Sequence, residues 1–132
     1  VSTRVVCDAS ALTAVLIDAG PDGQWATAEF GGVDLAAPSL VEFETANILR
    51  RQQLAGLISP DQAAQAHADL LEMAIEHWPY ELLATRAWQL RHNLSIYDAS
   101  YVALAELLGT TLVTLDRRIG RAPGPQCPIV TP

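Results

Sequence analysis

The chain contains no lysine: all eight of its basic residues are arginine. That absence removes any chemistry that needs an ammonium group beside strand-end carboxylates. Cysteine is scarce, with only Cys7 and Cys127 near opposite ends of the chain. A disulfide framework needs more cysteines at closer spacing, so both read as small buried residues in a reducing cytoplasm. Neither has a Cys or His partner at metal-site spacing. No apolar run approaches the roughly 20 residues that cross a bilayer. Asp8 and Asp18 interrupt the N-terminal apolar residues, which argues against a signal peptide. Positive charge is short, and the net charge of −7 counts against a non-specific nucleic-acid binder, which would be basic overall. It leaves open an enzyme whose acids meet phosphate through cations.

What is present is a packed domain. Half of the 132 residues are hydrophobic, and that length buries most of its apolar surface without staples. No repeat, linker or low-complexity tract appears, so residues 1–132 read as a single domain. Strands are expected at 4–7, 33–37, 78–82, 111–115 and 128–131. Pro79 assigns the third of these to a sheet edge. Helices are expected at 10–19, 24–30, 39–55, 59–75, 83–93 and 97–108. Gly56 and Gly109 act as stops, and Ser59-Pro60-Asp61-Gln62 is a capping-box start. Strands alternating with helices imply an α/β domain with a mostly parallel sheet of four to five strands, covered on both faces.

Two carboxylates stand where they are expensive unless used. Asp8 ends the apolar run Val5-Val6-Cys7, and Asp116 ends Leu112-Val113-Thr114-Leu115. Both would emerge at the carboxyl ends of buried strands, the edge at which open α/β sheets bind ligands. Asp98 lies in an apolar helical stretch, and Glu42 follows Pro38-Ser39-Leu40-Val41 near a helix start. Each acid alone has an ordinary reading. Asp8 and Asp98 can cap helices, Asp116 can open a turn, and Glu42 with Glu44 can be favourable charge near a helix N-terminus. Jointly they point elsewhere: clustered carboxylates raise one another's pKa unless a cation compensates them. Mg²⁺ or Mn²⁺ prefers such oxygen ligands and can activate water beside a phosphate.

With these blocks the chain resembles the PIN-domain ribonucleases, and among them the VapC-type toxins of VapBC toxin–antitoxin pairs. The resemblance rests on Val5-Val6-Cys7-Asp8-Ala9-Ser10-Ala11-Leu12 and on Pro38-Ser39-Leu40-Val41-Glu42 with Asn47 and Arg50. It continues through Tyr97-Asp98-Ala99-Ser100-Tyr101-Val102-Ala103-Leu104-Ala105 and Leu112-Val113-Thr114-Leu115-Asp116-Arg117-Arg118. It implies a PIN-like three-layer sandwich and a catalytic, metal-holding quartet of Asp8, Glu42, Asp98 and Asp116 around Mg²⁺ or Mn²⁺. Ser10, Asn47 and Thr114 match supporting polar positions. It further implies a cytoplasmic endoribonuclease cutting RNA with metal-activated water, a homodimer, and a cognate antitoxin that blocks the site. An inhibitory arginine of such a partner would suit an acidic site. The helices at 39–55 and 59–75 could offer the antitoxin a groove.

Arg117 and Arg118 follow Asp116 directly, so at least one is a candidate for a substrate phosphate. Arg50-Arg51 reads as solvated charge at a helix end. His67, His77 and His92 lack metal spacing, and Trp25, Trp78 and Trp88 read as core or dimer-interface residues rather than base-stacking platforms. Receiver domains and haloacid-dehalogenase phosphatases also gather acids at strand ends, but both use a lysine there. Two alternatives remain: a catalytically silent PIN-like protein-binding module, and a general RNA-processing nuclease with no antitoxin.

Overall fold

Among the described residues, five strands lie in the order β3-β2-β1-β4-β5, every neighbouring pair parallel. The computed structural model describes residues 3–132. The strands are β1 (Thr3–Cys7), β2 (Val33–Pro38), β3 (Ile75–Trp78), β4 (Leu112–Val113) and β5 (Ile129–Val130). The helices are α1 (Ala9–Ile17), α2 (Pro21–Phe30), α3 (Val41–Leu54), α4 (Pro60–Glu72), α5 (Ala84–Gln89), α6 (Ile96–Leu108) and α7 (Arg117–Arg121). No helix among the described residues is long and apolar enough to cross a membrane.

The chain steps from β1 to β2 to β3 in one direction, then returns to β4 and β5 on the other side of β1. Right-handed crossovers therefore put α1–α4 on one face and α5–α7 on the other. The packing agrees: α1, α3 and α4 contact one another, and α5 packs on α6. The three-layer sandwich expected from the sequence is the observed fold. The step from β1 to β4 is the topological switch point, where parallel sheets open a crevice at their carboxyl ends.

α6 is the central helix of its layer. Residues Ala99 to Ala105 are all buried, as expected of a helix apolar on every side. Gly109 ends it with φ +63°, a conformation that suits glycine. α4 begins with the expected capping box, Ser59 and Gln62 satisfying each other's backbone N–H groups.

The third strand differs from expectation. It occupies Ile75–Trp78 rather than 78–82, and the helix before it stops at Glu72. The cause is Pro79, which has no N–H to continue a ladder. Pairing ends at Trp78 opposite Pro38, and Tyr80–Leu82 turn into a short 3₁₀ segment. The strand does lie at a sheet edge. The last two strands are shorter than their apolar runs, which brings Thr114, Leu115 and Asp116 into the loop above β4.

Candidate active site

Topology alone carries four acidic positions to one edge. α1, α3 and α7 each follow a strand, and α6 precedes one. The starts of all four helices therefore stand at the carboxyl ends of the strands. Asp8, Glu44, Asp98 and Asp116 belong to those starts.

Asp8 is almost completely buried, with 5% of its surface exposed. Its Oδ1 accepts the Ala11 N–H at 3.0 Å and the Ser10 hydroxyl at 2.6 Å. Its Oδ2 accepts the Thr114 hydroxyl from the loop after β4. Ser10 Oγ in turn accepts the Leu115 N–H at 3.0 Å, and Thr114 Oγ1 accepts the Asp116 N–H at 2.9 Å. Two hydroxyls thus stitch the start of α1 to the β4 loop and fix Asp8 relative to Asp116. Burial pushes the Asp8 carboxyl above its ordinary value. The Ser10, Thr114 and Ala11 hydrogen bonds oppose that shift, and the charge of Asp98 adds to it.

Asp98 does not cap its helix. Ser95 does so, taking the Asp98 N–H on its hydroxyl at 3.1 Å, which leaves the Asp98 carboxylate for the site. Burial raises its pKa first, then the charge of Asp116, while Arg118 opposes. Asp116 is held the other way. Arg118 donates to both carboxylate oxygens, Nε to Oδ1 at 3.0 Å and Nη2 to Oδ2 at 2.6 Å, and lowers the pKa.

The fourth acid differs from the sequence expectation. Glu42 Oε1 stands 3.0 Å from Nε2 of His77 on β3, turned away from the other acids. Glu44, two residues on, is the one whose charge meets those of Asp98 and Asp8. Its carboxyl is raised by burial and by the charges of Asp98 and Asp8, and Oε1 accepts the Tyr101 hydroxyl at 2.6 Å. Two residues along a helix are about 200° apart, so only one of the pair can face inward. Periodicity carried the signal: Val41, Thr45 and Leu49 mark the buried stripe, and Glu44 lies three residues after Val41. Tyr101 was also missed, although it stands three residues after Asp98 on α6. Burial first, and then Glu44, raise its phenol far above the ordinary value, so the hydroxyl stays protonated and donates to Glu44.

The remaining predicted residues divide. Ser10 and Thr114 join the network. Asn47 is exposed, and none of the site's hydrogen bonds among the described residues involves it. Arg118 stays at the site, whereas Arg117 turns to the Pro132 carbonyl at 2.8 and 3.2 Å.

The donor set is all oxygen, and Asp8, Glu44 and Asp98 share a burial and mutual repulsion that a hard divalent cation would relieve. In that chemistry they fit Mg²⁺ or Mn²⁺. Among the described residues no three His, Cys, Asp or Glu side chains are close enough, in the rotamers observed, to enclose an ion. Arg118 engages both oxygens of Asp116 in that arrangement.

Residues 5–125 match the PIN domain family. The chain belongs to the PIN-domain family, within its VapC group. It is 40% identical to ribonuclease VapC9 of Mycobacterium tuberculosis over 125 residues, 95% of each chain. It is 32% identical to ribonuclease VapC3 of Pyrobaculum aerophilum, covering 88% of this chain and 92% of that one. The fold matches VapBC2 from Rickettsia felis, solved bound to a promoter DNA fragment, with a TM-score of 0.68, 14% identity and 98% of each chain covered. It also matches Mycobacterium tuberculosis VapC20, a sarcin–ricin-loop-cleaving toxin, with a TM-score of 0.65, 16% identity, and 89% and 93% of the two chains covered.

Proposed function

We propose that the chain is a metal-dependent endoribonuclease, the toxin of a toxin–antitoxin pair, with Asp8, Glu44, Asp98 and Asp116 as its acidic quartet. The observation that carries this reading is the gathering of buried Asp8 with half-buried Glu44 and Asp98 at the switch-point edge, where burial and neighbouring carboxylates push each pKa up and a cation would be stabilising. Mg²⁺ or Mn²⁺, when bound by these carboxylates, supplies charge compensation and activates water toward the phosphodiester. Asp8 is the orienting centre, because Ser10 and Thr114 fix both of its oxygens. Arg118, on an exposed side chain beside Asp116, is placed to take an RNA phosphate once it leaves that carboxylate. Arg117 instead donates to the Pro132 carbonyl. The silent-module alternative needs an incomplete acid set, which this chain does not have.

Relatives named as VapC and a neighbour solved as VapBC support an antitoxin partner. A groove of about 320 Å³ begins beside the Asp8 network at Ser10 and Leu115 and runs along α1 to Ile17 and Leu57. A segment of antitoxin laid there would reach the acids with a basic side chain. The exposed Phe43 and Leu54 of α3 support a homodimer that covers apolar surface. Both cysteines are free thiols, as a cytoplasmic protein's would be.

The test is cleavage of single-stranded RNA by the purified protein with Mn²⁺, with EDTA, and with the Asp8→Asn variant. Cleavage is expected only by the wild type with metal. Equal rates for wild type and Asp8→Asn would overturn the mechanism.

A further inference from the structure

The geometry points to Tyr101 as a positioning residue for the reaction, acting through Glu44. The inference rests on the metal-dependent reading above. Tyr101 is 1% exposed and lies within the wholly buried run of α6. A phenylalanine would fill that volume, and a buried hydroxyl is costly unless it finds a partner. Its partner is Glu44 Oε1 at 2.6 Å, within the short range of charge-assisted O–H···O⁻ bonds. The bond links α6 on one face of the sheet to α3 on the other, across the edge where the acids gather.

Glu44 stands in the first turn of α3, and its long side chain has several rotamers open to it. The Tyr101 hydroxyl selects the one that brings its charge near Asp8 and Asp98. By occupying Oε1 it leaves Oε2 as the oxygen available to a cation. Tyr101 also follows Asp98 by three residues, so a single helix turn carries one acid and the residue that orients another. Groups that orient metal-binding side chains in this way are worth roughly 10–100-fold in metal affinity or activity.

The test is Tyr101→Phe, which keeps the ring in the core and removes only the hydroxyl. Mn²⁺ affinity is read by titration calorimetry and by the Mn²⁺ EPR signal, with RNA cleavage measured alongside. The folded variant is expected to bind Mn²⁺ roughly 10–100-fold more weakly and to lose kcat while KM for RNA holds. Higher Mn²⁺ is expected to restore part of the rate, because the site is weakened rather than removed. A Tyr101→Phe protein that binds Mn²⁺ with wild-type affinity overturns the inference and leaves the nuclease reading standing. A wild type that binds no Mn²⁺ overturns both. Should Tyr101→Phe not fold, 3-fluorotyrosine incorporated at the three tyrosines gives a second readout. Its signals are assigned with Tyr80→Phe and Tyr97→Phe, and the Tyr101 ¹⁹F signal is expected to broaden away as Mn²⁺ binds. A sharp Tyr101 signal at saturating Mn²⁺ contradicts the inference.

Discussion

Thr114 ties Asp8 to Asp116: its hydroxyl donates to Asp8 Oδ2 and accepts the Asp116 N–H at 2.9 Å. One fully buried side chain thus sets the separation of two acids that arrive on different strands. Thr114→Val keeps the shape and removes both bonds, stranding a buried carboxylate oxygen and a backbone donor. The expected loss is about 1–3 kcal/mol of folding stability, the usual cost of such groups left unpaired. The denaturant midpoint reads it, with an unchanged m-value showing that the loss is in the native state.

Glu42 and Glu44 should separate cleanly. Glu44→Gln removes a member of the quartet and is expected to lower the cleavage rate by more than the roughly 10–100-fold that residues orienting a metal site are worth. Glu42→Gln breaks only a half-exposed pair with His77 and should leave the rate within a small factor of wild type. Paired kinetics on the two variants decide the assignment, and the reverse pattern would restore Glu42 to the site.

The pH dependence of stability has a definite sign. Asp8, Glu44 and Asp98 have native pKa values raised by burial, so the native state binds more protons than the unfolded chain. Their contribution is full below the ordinary carboxylate values, 3.8 for the aspartates and 4.5 for the glutamate, and is lost as pH rises through the raised ones. Asp116, lowered by Arg118, acts oppositely and loses its contribution as pH falls. A divalent ion binds the ionised carboxylates, so Mn²⁺ should raise the melting temperature more at pH 7.5 than at pH 5. Thermal scans at both values check it; an equal shift would mean the ion binds elsewhere.

Arg118 and Arg117 give a further contrast. Arg118→Ala should raise KM for RNA and reduce the dependence of binding on salt by about 0.7 in log–log slope, one phosphate contact on a single strand. Arg117→Ala should leave that slope unchanged. Binding isotherms from low to moderate salt test both.

The path from sequence to site succeeded where topology decides and failed where rotation about an axis decides. Asp8 and Asp116 were legible because a carboxylate after a buried apolar run has one place to go, the strand's carboxyl end. Ser10 and Thr114 stood beside them in the same short segments. Glu42 and Glu44 are hard to tell apart in the sequence because α3 carries two acids within one turn. Only the buried stripe of Val41, Thr45 and Leu49 distinguishes them, and Phe43 between the acids, 81% exposed, blurs it. Tyr101 was hidden because its role depends on a partner 57 residues away on the opposite face of the sheet. β3 was misplaced by reading Trp78-Pro79-Tyr80 as one extended segment, when the proline's missing N–H ends the ladder at Trp78.

The central claim is that a cation is held by Asp8, Glu44, Asp98 and Asp116 above the β1/β4 junction. Anomalous diffraction from crystals grown with Mn²⁺ tests it most directly. The account predicts a Mn²⁺ peak at that edge, at coordination distance from carboxylate oxygens of Asp8 and Asp98, with Glu44 turned toward it and Glu42 still on His77. A peak at Glu42 and His77, or none at the β1/β4 edge in crystals saturated with Mn²⁺, would contradict it.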